Sequence, residues 1–274
     1  MRVTGRAGTA AIAAVAAVAA GVALAPGHTS RTDARVIAHS HDAAVELPPS
    51  PPAGPARLVV LGDSVATGAG CDCRPFGREL AREAARLTHR RTDLSLLAHD
   101  GLTSAGLLDQ VRSDPGTVTA LRRATTVVVT IGANDFNSGE ADSGCSGNGT
   151  ACFASDLQAL PAELGAALLR IRSLAGPQVQ VLVTGYWNVF LDGAVAAQHG
   201  TTYQATSDAL TRRVDTVLAA TARTHDATYV DLYRPFRGDG DTDDTAQLAS
   251  DGDHPSAAGH RLIARLLARV MAGR

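Results

Sequence analysis

Gly62-Asp63-Ser64 closes a short apolar run, and Asp251-Gly252-Asp253-His254-Pro255 stands near the carboxyl end of the chain. A serine at a strand-to-helix turn can present its hydroxyl into a cleft, and a glycine just before it lets the backbone turn without a Cβ clash. That hydroxyl is a useful nucleophile only if something takes its proton as it attacks, and neutral imidazole is the usual acceptor. His254 is the candidate base for Ser64. Asp251, three residues before the histidine, can fold back across one turn onto the second ring nitrogen, which fixes the tautomer and stabilises the imidazolium. Asp253, the immediate neighbour, needs a tighter bend. Each piece also has a plainer reading, a turn serine that caps a helix and a histidine idle in a surface loop.

Acyl transfer further requires donors aimed where charge develops on the carbonyl oxygen. Asp100-Gly101-Leu102-Thr103 and Gly132-Ala133-Asn134-Asp135 could supply a backbone N–H at Gly101 and a side-chain amide at Asn134. One such donor is worth about 2.7–4 kcal/mol in a transition state. In isolation both stretches are ordinary loops, since Gly101 can merely turn the chain and Asn134 can bond its own backbone.

These residues need a frame. Arg57–Gly62 and Ala124–Gly132 are β-branched runs ending in glycine, as expected of strands buried on both faces. Leu94–Ala98, Val179–Thr184 and Thr228–Leu232 read as three more strands. Helical patterns fall between and after them, at Gly77–Leu87, Thr103–Arg112, Ser155–Ser173, Ser207–Arg223 and Ser256–Met271. Such alternation predicts an α/β domain, a three-layer α/β/α sandwich around a parallel five-stranded sheet. In that architecture the site forms in loops beyond the carboxyl ends of the strands, where the polar blocks stand.

In chain order the blocks are Gly62-Asp63-Ser64, Gly101, Gly132-x-Asn134-Asp135 and Asp251-x-x-His254. Together they resemble the SGNH (GDSL-type) hydrolase superfamily over roughly residues 57–274. The resemblance implies a flavodoxin-like fold with Ser64 as nucleophile, His254 as general base and Asp251 as its orienting acid. It also implies an oxyanion hole from the N–H groups of Ser64 and Gly101 and the amide of Asn134. Val65 replaces the leucine of the fuller first block, and Ala66 excludes the lipase-type Gly-x-Ser-x-Gly elbow. The expected function is hydrolysis of O-acyl esters through an acyl-enzyme, without metal or other cofactor. A carbohydrate acetyl esterase working on a glycan would use the same residues, and a non-catalytic binding protein on the same fold is the rival of another class.

Composition removes other mechanisms. All 25 basic residues are arginine, so a phosphate-loop lysine, a Schiff-base lysine and a Ser–Lys dyad are excluded. A net charge of −2 and 4% aromatic content disfavour a nucleic-acid partner; the substrate that the resemblance implies is a small-molecule, lipid or glycan ester. Arg2 and Arg6 precede an uncharged, alanine-rich run to Ala25, so residues 1–25 read as a secretory signal peptide, or as an anchor if uncleaved. Membrane contact is expected only there, and the domain is expected to be secreted or at the cell surface. Residues 26–56 hold six of the twelve prolines and read as an extended linker whose histidines are solvated.

Cys71, Cys73, Cys145 and Cys152 form an even set, expected as two disulfides in an oxidising compartment. Three pairings are open, with a local Cys145–Cys152 loop favoured over a zinc site of unusual spacing. Asp239-Gly-Asp241-Thr-Asp243-Asp244 lacks the glycine and glutamate of a calcium loop and reads as a solvated acidic turn. Tyr186, Trp187 and Phe190 could line a pocket or fill the core, and His260 is expected at a surface or capping position. If His254 is the base, ester hydrolysis should accelerate with pH across the histidine range, roughly pH 5 to 8. A pH–rate profile flat over that interval removes it from the role.

Overall fold

The computed structural model describes residues 54–136, 150–190 and 192–273. The expected signal segment, nearly all of the proline-rich stretch, and Cys145 lie outside them. Five strands form one sheet: β1 (Ala56–Gly62), β2 (Thr92–Leu96), β3 (Thr126–Thr130), β4 (Gln180–Thr184) and β5 (Thr228–Val230). Their spatial order is β2-β1-β3-β4-β5 and every pairing is parallel, the flavodoxin-like order. Burial explains the residue choice. From Leu58 onward β1 is buried throughout, as is all of β3, and both are rich in Val and Leu, whereas edge strand β2 is only half-buried and carries Asp93 and Ser95.

The helices are α1 (Ser64–Thr67), α2 (Phe76–Thr88), α3 (Ser104–Ser113), α4 (Pro115–Leu121), α5 (Ala154–Ala175), α6 (Gly193–Ala196), α7 (Thr201–Thr224), α8 (Tyr233–Arg237) and α9 (Ala257–Met271). Helices α2 and α9 pack on each other in one layer, while α5 packs on both α3 and α7 in the other. This is the distribution that right-handed crossovers impose on such a strand order. In α9 the buried residues Ile263, Ala264, Leu267 and Ala268 recur at helical spacing, and Ser256 caps its start by accepting from the N–H groups of Ala258 and Gly259.

The chain direction reverses its side at one place, between β1 and β3. From β1 the chain goes outward to β2, and from β2 it crosses back over β1 to β3. Loops leaving β1 and β3 therefore diverge and open a crevice at their carboxyl ends. Gly62 and Thr130, the last residues of these strands, are direct partners in the register. Gly62 has φ +142°, and a Cβ there would sit 2.0 Å from the Thr130 carbonyl oxygen. Gly62→Ala should therefore cost more than the about 1–2 kcal/mol of backbone strain alone. Gly176→Ala, at φ +88° with open space where its Cβ would fall, isolates that smaller cost. Thermal melts of the two variants should separate clearly, with Gly62→Ala the lower.

Candidate active site

The turn that carries Ser64 is fixed from both sides. Asp63 continues the pairing of β1 with β3 by donating its N–H to the Thr130 carbonyl at 3.0 Å. Its side chain then caps α1, with Oδ1 accepting from Val65 N–H at 3.0 Å. Oδ2 accepts from the Tyr186 hydroxyl at 2.5 Å. Burial pushes the Asp63 carboxyl up to about 7, against the opposing pull of the bonds from Tyr186 and Val65. Ser64 opens α1, and its carbonyl accepts from the N–H groups of Gly68 and Ala69. A rigid frame thus surrounds an unencumbered side chain.

His254 arrives from the loop before α9. Leu248 and Pro255 form an antiparallel bridge, and Ala249 N–H donates to the His254 carbonyl at 2.8 Å, so the intervening residues form a closed loop. Within it Asp251 does two jobs. Oδ1 accepts from the N–H groups of Asp253 and His254, both at 3.1 Å, which shapes the turn. Oδ2 lies 2.9 Å from His254 Nδ1, leaving Nε2 for the cleft. Burial acts to raise the Asp251 carboxyl, but the bonds from the His254 ring and from those two N–H groups outweigh it and hold it below its ordinary range. Asp251 stays ionised while it holds the ring.

Ser64, Asn134 and His254 line one cavity of about 350 Å³ together with Asp251 and Asp253. Val65, Phe136, Val189 and Phe190 supply its apolar walls. One amide hydrogen of Asn134 is used to hold the loop after β2, through a 3.1 Å bond to the Leu102 carbonyl, and an amide has a second to give. Gly101 sits in that loop at φ +70°, exposed and not among the cavity-lining residues. Its neighbour Asp100 accepts from the Thr67 hydroxyl at 2.5 Å, so the loop is tied to α1 as well. The structure brings Ser64, Asn134, Asp251 and His254 together, with Gly101 at the margin.

Three contributors have roles that the residue pattern does not show. Asp135 accepts from Ser104 N–H and from its hydroxyl, tying the Asn134 turn to the start of α3. Gly70, at φ +70°, presses its backbone on the Asp251–His254 pair: a Cβ there would be 2.4 Å from Asp251 Oδ2 and 2.9 Å from His254 Cβ. Tyr186, for which the sequence allows either pocket or core, lies wholly in the core and acts on the site through its hydroxyl, which donates to Asp63 and accepts from Ala133 N–H at 3.4 Å. Trp187 is core as well, stacked on Phe236 at 4.7 Å, and Phe190 alone of the three aromatics reaches the cavity. Spacing singles out Asp135 but not its bond to Ser104, and it gives no signal for Gly70, because each role depends on which loops meet.

Residues 60–262 match the GDSL-like Lipase/Acylhydrolase family. The chain belongs to that family. Among solved structures it is similar to the lipase Lip_vut3 from a goat rumen metagenome, at 18% identity and TM-score 0.59, over 77% of this chain and 95% of that one. It is also similar to an extracellular lipase from Streptomyces rimosus, at 23% identity and TM-score 0.57, over 77% and 98%. A variant of Axe2, an acetylxylan esterase from Geobacillus stearothermophilus, matches at 17% identity and TM-score 0.54, over 79% and 94%. No curated protein sequence matches the chain. The three likenesses show a shared fold, and membership of this hydrolase family makes the protein an ester-hydrolysing enzyme.

Two further features of this GDSL-like hydrolase differ from expectation. His260 is fully buried, neither on the surface nor capping its own helix; its Nδ1 accepts the Phe76 N–H that opens α2, at 3.2 Å. The sulfurs of Cys71 and Cys73 and a ring nitrogen of His260 lie within 4.8 Å of one another, a geometry that could suggest a metal. The cysteines are bonded to each other, however, and a neutral ring whose Nδ1 accepts must carry its proton on Nε2. Such a set offers a metal neither a thiolate nor an unoccupied imidazole nitrogen. Cys152 is bonded too, to a partner outside the described residues.

The acidic turn before the catalytic loop is not wholly solvated either. Asp244 is buried with Asp192 around Arg237, whose Nη1 lies 2.9 Å from Asp192 Oδ1. Burial raises both carboxyls, Asp244 to about 8. Asp192 in turn donates its N–H to the Gly252 carbonyl at 2.8 Å, which anchors the loop holding Asp251 and His254.

Because burial raises Asp63 above its unfolded value, its folded form binds the proton more tightly, so its contribution to stability declines as pH rises from about 4 to about 7. Tyr186→Phe removes the hydroxyl that opposes this shift. The variant should lose about 1–3 kcal/mol at neutral pH and extend that decline to higher pH. Chemical denaturation at pH 5 and pH 7.5 measures both. A stability equal to wild type at pH 7.5 would show that the bond to Asp63 carries no weight.

Proposed function

We propose that this chain is an exported serine hydrolase that cleaves O-acyl esters through an acyl-enzyme intermediate. The observation that carries the reading is the shared cavity of Ser64, His254 and Asn134, with Asp251 bonded to the far side of the imidazole. Ser64 Oγ attacks the carbonyl carbon as His254 Nε2 takes its proton, and Asp251 steadies the imidazolium. The oxyanion is met by Ser64 N–H and the second amide hydrogen of Asn134. Gly101 N–H joins them when the carbonyl oxygen lies over its loop. His254 then passes its proton to the departing alcohol, and water attacks the acyl-enzyme by the same steps reversed.

A cavity of about 350 Å³ is at the small end for ligand sites and has to hold both acyl group and reacting atoms. That size favours short acyl groups over long ones. An acetyl ester of a glycan, its sugar lying outside the cavity, is the second reading on the same ground. Export rests on the basic, alanine-rich amino terminus and on bonded cysteines at Cys71–Cys73 and Cys152. Contact with a membrane is confined to that terminus if it is retained.

A fluorophosphonate probe should label the wild-type protein, and Ser64→Ala should not label. His254→Ala and Asp251→Asn should each lower kcat about 10³- to 10⁴-fold with little change in KM. Across nitrophenyl esters from acetyl to palmitoyl, kcat/KM should fall as the chain lengthens, and acetylated xylose tests the glycan reading. Equal labelling of Ser64→Ala would remove this serine from the mechanism.

A further inference from the structure

The cleft holds one carboxylate more than ester hydrolysis uses. Asp253 lines the cavity beside Ser64 and His254, and its Oδ2 lies 3.7 Å from His254 Nδ1. That nitrogen already has its partner in Asp251 Oδ2 at 2.9 Å, so the proton relay leaves the Asp253 carboxyl unassigned. Its side chain is 38% exposed, half withdrawn from water and half open. Among the described residues no arginine lines the cavity, and the chain contains no lysine. Apart from His254 itself, none of the described lining residues balances the two carboxylates. The aromatic rings of Phe136 and Phe190 form part of the same lining.

A carboxylate in a partly desolvated pocket attracts an ammonium group by charge, and apolar rings in the same lining accept its methyl groups. The same field repels phosphate and carboxylate groups, which is how a site rejects as well as selects. Resting on the esterase reading above, we propose that Asp253 is a specificity-determining residue that makes this cleft prefer esters of cationic alcohols, those bearing an amine or a trimethylammonium group, over neutral and anionic ones. Acyl transfer is unchanged by this; the alcohol still leaves with the proton from His254.

Burial holds the Asp253 carboxyl up at about 6, pulled down by His254 and pushed up by Asp251. Among the described residues the other charged group facing it is Asp63, from the turn after β1. The preference should therefore be full at pH 8 and fade as pH falls through about 6.

Acetylcholine and 3,3-dimethylbutyl acetate are a matched pair, equal in shape and differing in one charge, and 3-acetoxypropanoate adds the anionic case. With the full-length protein at pH 8 and low salt, kcat/KM for acetylcholine should exceed that for the neutral ester about five- to tenfold, with the anionic ester below both. The excess should shrink to about twofold in 0.5 M NaCl. In Asp253→Asn the cation-to-neutral ratio should fall to near one, and because a ratio is read, any general loss of activity cancels. A wild-type ratio near one, or a ratio that survives Asp253→Asn, overturns the proposal. Should that variant fail to fold, the wild-type ratio between pH 5 and 8 tests the same carboxylate, and a ratio indifferent to pH and salt is equally fatal. Hydrolysis of the neutral ester without charge preference sinks the selectivity alone. No hydrolysis of any ester and no labelling at Ser64 sinks the esterase reading, and this proposal with it.

Discussion

The close approach of β1 and β3 at Gly62 and Thr130 is the constraint on which the site depends. A carbonyl oxygen occupies the space where any side chain at residue 62 would begin. With the strands this close, Asp63 can pair with Thr130, bury its carboxyl and cap the turn. Ser64 is then projected from a backbone whose neighbours are all committed. The cost is a carboxylate wholly removed from water, and the Tyr186 hydroxyl is what makes that burial tolerable. A residue of the loop after β4 thereby governs how firmly the Ser64 turn is held.

The other half of the site is built by different means. The His254 loop has no strand or long helix within it, and its shape comes from one carboxylate that satisfies two backbone donors and one ring nitrogen. It is docked from outside through Asp192 and the buried Arg237. One wall is thus fixed by a sheet and the other by a network of side chains. The cleft between them is the opening that the strand order creates.

Much of this is legible in the residues. β1 and β3 announce themselves as unbroken β-branched runs because both faces are covered, and three polar blocks follow strands in a recognisable order, while the Asp251-x-x-His254 block stands in the loop before α9. Boundaries are less legible. Helix α7 begins at Thr201, six residues before the expected Ser207, since Thr and Ser in its first turns give little apolar period. Helices α4 and α8 are too short for a period to emerge. His260 and Asp244 read as surface residues because polarity suggests exposure, and only tertiary packing gives them buried roles. Gly70 carries no signal at all, for its importance lies in what it touches.

That glycine also divides the cleft into parts with different evolutionary freedom. Behind the Asp251–His254 pair the enclosing surface is main chain, pressed so close that no larger residue fits without displacing the pair. On the facing side the enclosure is Phe136, Val189 and Phe190, side chains that can be exchanged for others of altered bulk. A lineage descending from this protein could therefore acquire new substrates by remodelling the aromatic side while inheriting the glycine side unaltered.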